Sequence, residues 1–409
     1  MPKIRPVEVF PVRDNQQEAV VLRDPERLAP EVIWLSPAVM AILPLFDGTN
    51  DLRDIQSAIF RAHGQIIDLE KILALVKVLD EKLFLEGETF DSFMIKELET
   101  FALAKVRPAI LAGQAYAAEP DALLRQMDEY YHHPSGPGQT LAAEVHEPPR
   151  GLIAPHIDFS RGGPCYAWAY RQTPPHQPPD VAVILGTAHT RTKNLLALCR
   201  KDFATPWGPA RCQPDLAGEL VDRLGSNIMA DEYVHKSEHS VEFQTVWLMG
   251  RFSRSEEMTF LPLLCGSFHE LIIQGLTPED CAPYEEAILV LKEALAKWAG
   301  AGKRVMVVAS ADLSHVGPQF GDQELVSGLV ASEIEACDSA LLDNVVKGDF
   351  RSLYRQVMIN RDRTRVCGLA SIYTLLRLLD GPQGELLKYD QWVDPSGQGL
   401  VSYAGLVFP

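Results

Sequence analysis

At 409 residues, with 46% hydrophobic and 23% charged side chains, the chain can build more than one core and gives no compositional reason for extensive disorder. A formal charge of −17 at pH 7 repels phosphate backbones and argues against nucleic acid as a partner. No run approaches the roughly 18 apolar residues of a membrane span, and MPKIRPVEVFPVRD lacks the apolar centre of a secretory signal, so a cytoplasmic protein with no membrane partner is expected.

Residues 1–90 read as a small, mainly helical domain. PVEVFPVRD and AVVLRD are strand-like, and LSPAVMAILPLFDG, DLRDIQSAIFRAHG and DLEKILALVKVLDEKL space apolar residues as helices do. Asp51 and Asp68 are candidate N-caps, and Gly48 and Gly64 close the preceding helices. KLFLEGETF, with its central glycine, has the composition of a winged-helix wing. On LSPAVMAILPLFDG followed by the DLRDIQSAI helix, the segment resembles a PqqD-like module, a winged-helix-like fold that commonly binds peptides. A stabilising N-terminal cap is the plainer reading. Ten Lys and Arg against fifteen Asp and Glu in these 90 residues disfavour DNA binding by a wing.

Residues 91–105 read as a connecting helix, and 106–409 as an α/β domain. DALLRQMDEYYHH is an amphipathic helix, and the Pro- and Gly-rich stretch that follows, to about residue 150, reads as a surface loop. GLIAP, VAVILG, LLALC, MTFLPLLCG, RVMVVAS and LVSYAGLVF then alternate with PDLAGELVDRL, SVEFQTVWLMGRF, YEEAILVLKEALAKWAG, ELVSGLVASEIEACDSALLDNVV and LASIYTLLRLLD. Apolar strands alternating with helices predict a parallel or mixed sheet covered on both faces, with ligands beyond the carboxyl ends of its strands.

Three strand ends carry polar residues suited to chemistry: GLIAP runs into His156, VAVILGTA into His189, and RVMVVASA into Asp312 with His315 close behind. Any one histidine there is more often a satisfied hydrogen-bonding residue, but on one rim these would meet in a cleft. The seven cysteines are scattered and never form a CxxC pair, which speaks for reduced thiols. Among them Cys367 precedes a helix beginning near Gly368, where the dipole would favour a thiolate. His239, beside Glu238 and three residues before Glu242, is either part of an acid/base pair facing the cleft or part of an N-terminal capping cluster.

The segments RPAILAGQAY, LIAPHIDFS, ILGTAHT, EHSVEFQTVWL, PLLCG, SADLSHVG and VCGLASI, in that order, resemble the Memo family, related in fold to class III extradiol dioxygenases. The resemblance implies His156, His189 and Cys367 as metal ligands, with His239, Asp312 and His315 lining the site as catalytic residues. It also implies a mononuclear metal, iron(II) or copper rather than zinc, redox or oxygen chemistry, and a functional association with a radical-SAM enzyme. The chain departs from the family at Ile157, Asp158 and Phe159, at Thr190 and at Leu369, so the substrate does not transfer; Asp158 itself is a candidate for the site.

A donor set of two imidazoles and a thiolate suits iron, copper or zinc and disfavours magnesium or calcium. In the enzymatic reading His315 and His239 transfer protons and Asp312 orients one of them. Another reading is a non-catalytic protein whose cleft binds a small molecule or peptide, or holds a metal for a partner enzyme. Two more use the same residues: a Cys367 nucleophile served by His315 or His239, and a zinc peptidase in which His235–His239, HKSEH, binds zinc with Glu238 as base. The peptidase needs one helix through all five residues.

Overall fold

The computed structural model describes residues 1–14, 17–24, 28–29, 31–138, 148–252 and 258–409. They form two compact units, Met1–Leu103 and Ala104–Pro409.

In the first unit β1 (Glu8–Asp14), β2 (Gln17–Arg23) and β3 (Ile33–Leu35) make an antiparallel meander. The helix expected over LSPAVMAILPLFDG is instead two 3-10 turns, Pro37–Ala41 and Leu43–Leu45. Pro44 lacks an N–H and its ring clashes with the preceding turn, which prevents a continuous α-helix. Helix α1 (Leu52–His63) starts on a capping box between Asp51 and Asp54 and ends at Gly64, whose φ of 67° is left-handed. Asp68 caps α2 (Leu69–Glu81) by accepting from the Glu70 backbone N–H. Ile55, Ile59, Ile72 and Leu79 face one core. KLFLEGETF does not form a wing. Leu83 turns the chain with a φ of 65°, Phe84 and Leu85 bury into the core, Leu85 makes a single bridge to Ile4, and α3 (Glu88–Leu103) begins at once. That helix occupies most of the segment expected as a connector and belongs to the first unit.

The second unit opens with β4 (Val106–Arg107), α4 (Pro120–His132) and β5 (Gly151–Ala154). There follow α5 (Phe159–Arg171), β6 (Val181–Thr187), β7 (Leu196–Leu198), β8 (Asp202–Thr205) and β9 (Gly208–Ala210). Next come α6 (Pro214–Leu224), α7 (Ser240–Arg251), β10 (Thr259–Cys265), α8 (His269–Gln274), α9 (Ala282–Gly300), β11 (Val305–Ser310) and β12 (Asp312–Val316). The last elements are α10 (Gly328–Val346), α11 (Phe350–Ile359), α12 (Leu369–Leu378), β13 (Glu385–Val393) and β14 (Leu400–Phe408). Residues 139–147 of the expected surface loop lie outside the described residues.

The main sheet has the order β12-β14-β5-β11-β6-β10-β7, with β13 paired to β14. Strands β5, β11, β6 and β10 are mutually parallel, and the flanking β14 and β7 run antiparallel to them. Both faces are covered, which is why these strands read as unbroken apolar runs. Alternation assigns the faces: Val181, Val183, Leu185, Val307 and Ala309 face α6, α9 and α12, while Ala182, Ile184, Met306 and Val308 face α5 and α7. Because four strands are parallel, residues just past β5, β6 and β11 share one rim. Among the described residues no helix is long and apolar enough to cross a membrane.

Candidate metal centre

His156 follows β5, His189 follows β6, and Cys367 immediately precedes Gly368, the N-cap of α12. One candidate ligand atom from each lies within 4.8 Å of the others. The Cys367 Sγ is 3.3 Å from His156 Nε2, and the two imidazole rings are 4.9 Å apart, edge to face. Three side chains separated by up to 211 positions are thus brought together by the rim of one sheet.

The protein fixes which nitrogen each ring presents. His156 Nδ1 is 3.0 Å from the Ser310 carbonyl, which can only accept, so Nδ1 carries the proton and Nε2 keeps its lone pair. His189 Nδ1 lies 3.1 Å from both oxygens of Glu238 and is held likewise. Burial alone would raise the Glu238 carboxyl, but the imidazoles of His189 and His239 hold it well below its usual range, so it is ionised. It also accepts from the backbone N–H groups of His189, His239 and Ser240, and the last two open α7. Glu238 is therefore the residue that aims His189.

Burial, reinforced by His189 and His239, pushes His156 well below its ordinary pKa and keeps it neutral. For His189 burial acts in the same direction, but the Glu238 carboxylate outweighs it and the net shift is upward. This side chain is 40% exposed and marks the open side of the cluster. Cys367 differs from the expectation of a helix-stabilised thiolate. Burial drives its thiol well above the usual range and the Asp312 carboxylate adds to the effect, so without a cation the thiol keeps its proton and can donate it to His156 Nε2. It lies one residue outside the helix, where the dipole is outweighed.

Close backbone packing sets these positions. A Cβ at Gly186 would come within 2.6 Å of Val241, so only glycine lets the start of α7, with Glu238 and His239, approach the end of β6. A Cβ at Gly368 would lie 2.5 Å from Ala311 and from the Asp312 carbonyl, which seats Cys367 against the end of β11. The turn before Cys367 holds Arg361, Asp362 and Arg365 at φ near 50°, and it is pinned because Arg365 donates to the His315 carbonyl and pairs with Asp322.

The other expected residues divide. His239 stacks on His189 at 4.8 Å and belongs to the cluster. Asp312 is buried, accepts from the His156 backbone N–H at 2.8 Å, and has a carboxylate oxygen 3.6 Å from His156 Nε2. It braces His156, where orientation of His239 or His315 was expected. His315 is set by its own Leu313 carbonyl and packs edge-on against Phe320. Asp158 does not join the cluster; it caps α5 and pairs with Arg161. Glu242 does not face the cleft. It is buried in an ion pair with Arg107 and also accepts from Tyr116 Oη and the Leu111 backbone N–H. His235 lies in a 3-10 turn, Glu232–Lys236, and bonds the Ala197 carbonyl, while α7 begins only at Ser240. HKSEH is therefore not one helical turn, and the peptidase geometry is absent.

Sequence reasoning missed the positioning roles of Glu238 and Arg107. Arg107 donates to the carbonyls of His235 and Glu238 and so fixes the segment that carries the Glu238 side chain. A buried arginine with a carboxylate partner 135 residues away leaves no local signal.

The donor chemistry fits a metal. Two imidazoles whose Nδ1 atoms are already engaged and a thiol, each able to give up a proton to a cation, form a borderline-to-soft set. The mixed sheet and this cluster define an α/β protein with a candidate metal cleft. The model of the Memo-like protein family matches residues 107–407, and the chain belongs to that family. It is 26% identical to a MEMO1 family protein of Aquifex aeolicus, over 100% of this chain and 99% of that one. It is 30% identical to MEMO1 family protein TTHA0924 of Thermus thermophilus, over 83% and 93% of the two chains, and 28% identical to MK0963 of Methanopyrus kandleri, over 74% and 98%.

Proposed function

We propose that His156, His189 and Cys367 hold one mononuclear metal ion, iron(II) or copper in preference to zinc, and that the cleft carries out redox or oxygen chemistry on a small molecule or peptide. The observation that carries this is the convergence of one candidate ligand atom from each of the three side chains within 4.8 Å, with Nδ1 of His156 engaged by Ser310 and Nδ1 of His189 by Glu238. Such an ion would supply one-electron redox capacity and an open position on the exposed side of His189.

The chain's own residues do the rest. His239 lies on that open side and is 32% exposed, so it can exchange a proton with a bound molecule. Burial depresses His315, so it is neutral near pH 7 and able to accept a proton. Asp312, buried, anchors the His156 backbone and keeps that side chain in register with Cys367.

Anaerobic purification followed by separate loading with iron(II), copper(I) and zinc tests the reading. About one equivalent of iron or copper is expected, with strong losses in His156→Ala, His189→Ala and Cys367→Ser. Metal content unaffected by all three substitutions would refute it. Stoichiometric metal without dioxygen consumption across a catechol-type panel would favour the non-catalytic reading.

A further inference from the structure

A second concavity lies at the opposite end of the sheet. It has a volume of about 590 Å³, within the roughly 300–1,000 Å³ range of small-molecule sites. Val305–Val307 of β11 line it, whereas the other end of that strand, at Ser310, bonds the His156 ring. The cavity is therefore at the amino ends of the parallel strands, and the metal cleft is at their carboxyl ends.

The lining separates into an apolar interior and a charged mouth. Pro149, Pro174, Phe252, Met306, Leu378 and Leu379 are buried and form the interior, and the small side chains of Ala296 and Ala299 on α9 leave it open. The mouth carries Arg150, Lys292, Lys303 and Arg304 against Glu293 and Asp380. Lys292 pairs with Asp380, and Glu293 pairs with Arg223. Lys303 and Arg304 share the single carboxylate of Asp180, and Arg150 has no ion pair among the described residues. Two positive charges are left over, in a protein whose formal charge is −17. Helix carboxyl ends also point here, but their carbonyls are engaged: Arg251 donates to Thr173 and Arg171, and backbone N–H groups beyond α9 and α12 bond back. The formal cations therefore set the local potential.

We propose that this cavity binds an apolar monocarboxylate, a medium-chain fatty acid, with the tail among the prolines, leucines and Phe252 and the carboxylate at Arg150. Phe252 is the one aromatic residue in a lining whose apolar part is otherwise aliphatic, with Thr173 and Gln177 as its uncharged polar members, which suits an alkyl chain better than a stacked aromatic. A single carboxylate matches a guanidinium that has no ion pair among the described residues.

Calorimetric titration of the full-length protein with decanoate, kept below its micellar concentration, tests this. One equivalent should bind, and decyltrimethylammonium, with the same tail and the opposite charge, should bind at least about tenfold more weakly. Arg150→Gln should weaken decanoate roughly tenfold. Ala296→Trp, on an exposed helix position facing the cavity, should abolish binding while the unfolding temperature stays that of the parent. No saturable decanoate binding, equal affinity for the cationic tail, or unaltered binding in both variants would overturn the proposal. Should Ala296→Trp not fold, the Arg150→Gln titration decides alone.

Discussion

Nδ1 of His156 and of His189 is tied to the protein, and Nε2 of His156 faces the Cys367 sulfur. A carbonyl does the tying at His156 and an ionised carboxylate does it at His189. Glu238→Gln keeps the size of the side chain but loses the charge that fixes the His189 tautomer. Metal affinity, read by competition with a chelator, should fall about 10–100-fold while far-ultraviolet circular dichroism is retained. Unchanged affinity would reduce Glu238 to a helix cap. That His156 and His189 share a rim was legible in the sequence because each sits directly after an apolar strand run, and the resemblance to the Memo family added Cys367, which the structure brings within 4.8 Å of both. The carboxylates were not. Asp312, Glu238 and Glu242 all lie near strand or helix ends, and only three-dimensional contacts show that one braces His156, one aims His189 and one is neutralised by Arg107.

At the scale of elements, the buried Arg107–Glu242 pair ties β4 to α7, with side chains 0% and 1% exposed. Arg107→Met would strand a buried carboxylate and should lower stability by about 3–5 kcal/mol in urea unfolding, with a parallel loss of metal affinity through the loosened Glu238 segment. A stable variant with full affinity would contradict that linkage. Asp338 on α10 makes a second buried junction, accepting from Ser314 on β12, Tyr389 on β13 and Ser402 on β14. Burial raises its pKa despite these donors. The native state then binds the proton more tightly than the unfolded chain, so this group's contribution is fullest below the unfolded pKa and declines as pH rises through the folded one. Relative to Asp338→Asn, the wild type should lose stability in urea midpoints as the pH rises above the ordinary carboxylate range; a constant difference would exclude this role.

The elements missing from the sequence reading have physical causes. Helix α5 contains Gly162, Gly163 and Pro164, which signal a loop, yet the helix forms because eight of its thirteen residues, the two glycines among them, are buried. Strand β13 lies at the sheet edge with half-buried residues and lacks a strong apolar run. The expected wing failed at Leu83, whose left-handed backbone turns Phe84 and Leu85 into the core instead of into a hairpin.

For the molecule as a whole, the division into Met1–Leu103 and Ala104–Pro409 gives each unit its own core, and every candidate ligand lies in the second. A fragment of residues 104–409 should therefore unfold cooperatively and retain the metal stoichiometry of the full chain; loss of both would show that the first unit is needed for the second to fold. The broad architecture was legible because apolar strands alternate with helices over the second unit, whereas the first is short and its prolines disrupt the helical pattern.

A bond between the metal and the Cys367 sulfur is read directly by metal-edge X-ray absorption on the anaerobically loaded full-length protein. A sulfur scatterer at about 2.3 Å together with nitrogen scatterers near 2.0–2.1 Å is expected, the sulfur shell vanishing in Cys367→Ser. A first shell of nitrogen and oxygen alone in the wild type, or a sulfur shell that survives Cys367→Ser, would contradict it.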